Sequence, residues 1–150
     1  EYVLRFFAFT ETFPKFSFQG ESLKSANVAT FLDNYVKYKN ENFVEATTLI
    51  MEEKFDRMLD FVQRTFGKRG FAKKDGVEGV SSIYFEAIAI GAHFALEENP
   101  NLKCNDISWS ELNKSTPNDF FKILPGRYKT HTAAKLKDRI NYAKIKFLNK

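Results

Sequence analysis

Between Ser82 and Glu98 the chain carries Ile83, Phe85, Ala87, Ile88, Ile90, Phe94, Ala95 and Leu96. On a helix these side chains surround the axis instead of forming a stripe. A helix with no polar side must be covered on every side, so this one belongs in the middle of a bundle. Ser81 or Ser82 is placed to cap its start, and Pro100 closes it. The chain lacks the run of roughly 18 apolar residues that a bilayer span requires. Its start also lacks the pattern of a signal peptide. No membrane is expected among its partners, so the cover must come from other helices of the same chain.

Those helices are legible by their spacing. Val3, Leu4, Phe6, Phe7 and Phe9 make residues 1–11 a helix that is apolar almost all round. Residues 13–20 hold Pro14 and Gly20 and read as a loop, pinned to the core by Phe16 and Phe18. Val28, Phe31, Leu32, Tyr35 and Val36 predict an amphipathic helix over 25–39. Met51, Phe55, Met58, Val62 and Phe66, with Ile50 and Leu59, predict a longer one over 42–66, ended by Gly67. A loop over 68–80 follows. Capping-box spacing from Ser108 to Glu111 predicts a short helix over 108–114, and Thr116-Pro117 opens another that Pro125-Gly126 stops. Ala133, Leu136, Ile140, Ala143 and Phe147 share one face of a last helix over 131–149.

The expected fold is all-α: one domain over 1–150, a compact irregular bundle of six or seven helices. The scarcity of Gly (7) and Pro (4) argues against a turn-rich β-sandwich, and no alternating strand pattern occurs. The buried set is expected to hold Leu4, Phe7, Phe31, Leu32, Phe55, Met58, Val62, Ile83, Ile90, Phe94, Ile140 and Phe147. The chain opens on Glu1-Tyr2-Val3-Leu4, without Met and already inside an apolar segment, as expected for a C-terminal fragment of a longer protein. The lone Cys104 suits a reducing, cytoplasmic setting and makes no intramolecular disulfide.

No catalytic constellation is visible. His93 and His131 have neither a second metal-ligand pair nor a nucleophile beside them, so no metal and no cofactor are expected. His93 lies in the most apolar helix and reads as a hydrogen-bonded core residue. His131 reads as a capping or solvent-facing one. Gly67-Lys68-Arg69-Gly70 is basic but lacks phosphate-loop spacing. Glu52, Glu53, Asp56 and Asp60 form an ordinary exposed face.

Charge is unevenly placed. Nine basic side chains and one acid, Asp138, fall in residues 122–150, while the rest of the chain is net acidic. Such a segment attracts polyanions by releasing their counterions. The candidate DNA-backbone contacts are Arg127, Lys129, Lys135, Arg139 and Lys146. On the last helix, however, the cations flank the apolar arc on both edges, which is also what snorkelling side chains do. Both readings stand at this point.

The order Glu1-Tyr2-Val3-Leu4-Arg5-Phe6-Phe7-Ala8-Phe9, Phe31-Leu32-Asp33-Asn34-Tyr35, Phe66-Gly67 with Gly70-Phe71, and Ser82-Ile83-Tyr84-Phe85-Glu86-Ala87 resembles the helical C-terminal half of GmrSD-type proteins. The resemblance covers most of residues 1–95. It implies a parent protein in bacterial or archaeal DNA defence, with a ParB-like domain that carries an Asp-Gly-Gln-Gln-Arg motif and is associated with nucleotide hydrolysis. Some members of that family add an HNH-type nuclease and restrict modified DNA. Neither motif occurs in this chain, so no catalytic residue carries over. The implied role is a non-catalytic helical domain that packs on the ParB-like domain of its parent, supporting DNA contact or interdomain coupling. The alternative is a helical scaffold or protein-interaction module without nucleic-acid binding.

Overall fold

Asn27 turns the chain into a helix by accepting a hydrogen bond from the Thr30 amide at 2.9 Å. Thr132 does the same for the Lys135 amide at 3.4 Å. Caps of this kind satisfy amides that the first turn leaves without partners. The computed structural model describes residues 1–23, 27–72, 79–103 and 132–149. Among them run α1 (Tyr2–Thr12), α2 (Val28–Glu41), α3 (Thr48–Phe66), α4 (Ser82–Glu98) and α5 (Ala133–Phe147). Gly67, at φ 58°, ends α3 as its sequence position predicts. The short helices expected over 108–114 and from Thr116 lie outside the described residues.

The architecture is helical, and α4 is its axis. Every residue from Tyr84 to His93 is buried. Helix α5 makes the most extensive contact with α4, followed by α3 and α1. Contacts Glu86–Arg139, Gly91–Ala143 and Glu98–Lys144 advance together along α4 and α5. Gly91 lets the two backbones approach. A Cβ there would lie 2.7 Å from the Ala143 Cβ, 3.0 Å from the Lys144 nitrogen and 3.1 Å from the Ile140 carbonyl oxygen.

Aromatic rings fill much of the remaining core. Phe9 stacks on Phe31 and meets Phe16 edge-on, Phe13 lies 4.7 Å from Phe94, and Phe61 meets Phe147 edge-on. This use of rings accounts for 17 Phe in 150 residues. Phe16 is fully buried and Phe18 packs against the core, as the loop reading requires.

Several expectations need correction. The loop holds a two-stranded antiparallel ribbon, β1 (Ser17–Phe18) with β2 (Glu21–Ser22). Its turn residues Gln19 and Gly20 both have positive φ, the backbone that tight hairpins demand. The third helix begins at Thr48, after a single 3-10 turn over Glu45–Thr47, and not at residue 42. Leu4, Phe7, Phe55, Ile83 and Phe94 are only half-buried. In α1 it is Phe6 and Phe9 that become fully buried, Phe6 against His93 of α4 and Phe9 against Phe16 and Phe31. Ile50, read as part of the α3 stripe, points outward.

Gly91→Ala should destabilise the fold. The neighbours of the new methyl are largely backbone and cannot swing aside, so overpacking of ~1–3 kcal/mol should exceed the ~1 kcal/mol gain in helix propensity. A urea midpoint that falls supports the close crossing; one that rises refutes it.

Candidate interaction surface

The basic tail is the first place to look for a polyanion site. Lys146 is exposed, with its ammonium 5.6 Å from the Tyr142 ring centroid. Lys135 is half-buried, and Lys144 pairs with Glu98 at 2.7 Å. Arg127 and Lys129 lie outside the described residues. Arg139 is a correction. It is fully buried, and its Nη2 donates to Glu86 Oε2 at 3.3 Å. A guanidinium with no exposed surface cannot reach a phosphate, so Arg139 leaves the candidate set.

Glu86 draws it inward. Its carboxylate sits inside the all-apolar helix and is itself fully buried. On its other oxygen it accepts a close hydrogen bond from Arg5 of α1, and Arg5 also donates to Glu1 at 2.6 Å. Burial works to lower the Arg139 pKa, and the facing carboxylate opposes that. Sequence reasoning missed this cluster. The available signal was one acid in the middle of an otherwise apolar segment, which requires partners. Glu86→Ala should cost ~3–5 kcal/mol in chemical denaturation, because the fully buried Arg139 guanidinium loses the carboxylate that faces it. A loss below ~1 kcal/mol would show that the cluster is solvated.

A second region is apolar and open. Asn42 ends α2, its Nδ2 donating to the Tyr38 carbonyl at 2.8 Å. The chain then runs extended through Val44, and the Thr47 hydroxyl donates to the Val44 carbonyl at 2.7 Å. This connection leaves Phe43 66% and Leu49 74% exposed. Val3, Val36, Val44 and Ile50 are exposed as well. Two adjoining hollows, of about 500 Å³ and about 230 Å³, share Val3, Phe7, Phe43 and Met51. Glu52 and Asp56 line the smaller one. Scattered apolar residues are ordinary on a surface, but a clustered set marks a place where something docks.

Beside it lies a cleft of about 500 Å³ with Phe6, Phe7, Met51, His93 and Phe94 in its lining. His93 is 8% exposed, its ring 5.4 Å from Phe6 and 5.2 Å from Phe94. Its burial is as expected. The expected hydrogen bond is not: among the described residues no partner bonds the imidazole. Burial lowers its pKa, Glu97 opposes, and Lys54 and Arg57 add to the lowering.

No group of three or more metal-ligating side chains exists among the described residues, and no helix there is long and apolar enough to cross a membrane. Compared with known protein families, curated proteins and solved structures, the chain matches none.

The His93 shift predicts a pH dependence. The folded pKa lies below the ordinary 6.5, so the neutral imidazole contributes its full stability above that value. Below it the unfolded chain takes up the proton first, and stability is lost as pH falls through the folded pKa. The Tm advantage of wild type over His93→Phe should therefore shrink between about pH 8 and about pH 5. A difference independent of pH would show that His93 titrates normally.

Proposed function

We propose that this chain is a non-catalytic helical domain of a GmrSD-type DNA-defence protein, and that it couples to the ParB-like domain of the same parent. The exposed apolar face formed by Val3, Val36, Phe43, Val44, Leu49 and Ile50 carries the reading. Large apolar side chains at the centre of a contact supply most of its binding energy, and Phe43, which lines both hollows, is placed to do so, with Leu49 exposed a few residues on. Val3 and Leu4, in the first turn of α1, border the same hollow. A ParB-like domain on the N-terminal side of that turn would meet this face directly. The resemblance of residues 1–95 names the partner; the apolar face supplies the means.

DNA contact is the second reading, favoured by the concentration of positive charge in residues 122–150. With Arg139 withdrawn, Arg127, Lys129, Lys135 and Lys146 remain, for a salt slope of about −3.6 in log K against log salt. Such contacts go to phosphate and carry no sequence preference.

Mixing the chain with the purified ParB-like domain of its parent should give a complex. The double variant Phe43→Asp with Leu49→Asp should weaken it at least ~10-fold, with helical content unchanged because both residues are exposed. Equal affinity of wild type and variant, or no complex at all, overturns the docking reading.

A further inference from the structure

The cleft at His93 is not explained by docking. Its floor is made by rings: Phe6 meets the imidazole edge-on at 78°, and Phe94 lies tilted at 55°. Phe7, Ile50 and Met51 extend the apolar wall. His93, 8% exposed, also lines it; its ring nitrogens bond none of the described residues but are not sealed from solvent. A ligand in the cleft can bond such a nitrogen in place of the water that reaches it. The cleft volume of about 500 Å³ lies within the roughly 300–1,000 Å³ range of small-molecule sites.

The chemistry of the lining narrows the ligand. Phe6, Phe7 and Phe94 favour a flat ring that continues their edge-to-face arrangement. A neutral imidazole offers one N–H donor and one acceptor nitrogen. A ring with neighbouring donor and acceptor positions can bond whichever nitrogen faces the cleft. The ionised groups lining the cleft balance: Lys39 and Lys54 against Glu11 and Glu97, with Lys39 held by Glu11 at 2.6 Å. That balance gives a charged ligand no advantage over an uncharged one. We infer that the His93 cleft binds an uncharged, flat heteroaromatic molecule of the nucleobase kind.

The inference stands apart from the docking reading, and so does its test. Adenosine, cytidine and uridine are titrated into the full chain, with cyclohexanol and benzoate as controls and a short single-stranded oligonucleotide as a further arm. The readout is the NMR signal of the His93 imidazole together with calorimetry. At least one nucleoside should bind with a dissociation constant of roughly 0.1–1 mM and shift the imidazole signal. His93→Phe, which keeps a ring in an aromatic surrounding, should weaken it at least ~10-fold. Ile50→Trp, a change at an exposed position on the cleft lining, should also weaken it, so the test does not rest on His93 alone. The Phe43→Asp, Leu49→Asp pair lies outside that lining and should leave binding unchanged. Tighter binding of the oligonucleotide than of its nucleosides assigns the base to a nucleic-acid strand; weaker binding assigns it to a free molecule. The inference is overturned if no nucleoside binds, if cyclohexanol or benzoate binds equally well, or if both cleft variants bind as wild type does.

Discussion

A single carboxylate decides how the helices are arranged. Helix α4 is so evenly apolar that hydrophobic burial alone, beyond the close approach that Gly91 opens to α5, favours no rotation about its axis. Glu86 breaks that indifference. An ionised carboxylate removed from water must be paired and hydrogen-bonded, and its partners come from two helices, Arg5 of α1 and Arg139 of α5. Each guanidinium can reach Glu86 only with its helix turned one way. The same turn brings Phe6 and Phe9 of α1, and Leu136 and Ile140 of α5, into the core. Glu1 extends the alternation of charge outward through Arg5, so among the described residues two acids and two bases alternate. Buried ion pairs are poor sources of net stability. Here the gain is a unique orientation, which apolar contact alone does not supply.

The arrangement also shapes the surfaces. Turning Arg139 inward takes a cation from the tail and leaves Lys135 and Lys146 as its described candidates for polyanion contact. With Phe6 and Phe9 turned into the core, Val3, Leu4 and Phe7 line the hollow beside α2 and α3. The core is built from rigid rings, which meet edge-on and do not collapse into every gap. One such gap opens between Phe6, Met51 and Phe94, with His93 at its floor. The apolar face and the cleft thus follow from the rotation that Glu86 sets.

The helices were legible in the sequence because their signals are local. Asn27, Gly67 and Ser81 stand within two or three residues of the boundaries that spacing predicts. The central place of α4 follows from its composition alone. Rotation was not legible. Leu4, Phe7, Phe6 and Phe9 are equally apolar, and the choice between them is made by a carboxylate 81 residues from Arg5. Arg139 lies at the edge of an apolar arc, where snorkelling outward and pairing inward look alike until Glu86 is known to face it. Ile50 and Phe43 are exposed because no described element covers them, which no local pattern records. The cleft was half legible: His93 was placed in the core by its neighbours, but its lack of a partner is a fact of three dimensions.

The charge cluster also governs when the domain can be completed during synthesis. Arg5 and Glu86 emerge from the ribosome well before Arg139, which lies 53 residues beyond Glu86. At about 5–20 residues per second, that gap lasts seconds, far longer than helices take to form. Throughout it the face of α4 that meets α5 still lacks that helix, and Arg5 holds the Glu86 carboxylate without Arg139. Among the described residues the nascent domain then lacks the helix that packs most extensively on α4. Closure of that face waits for α5, so the latest of the described helices sets the moment at which this part of the core is sealed.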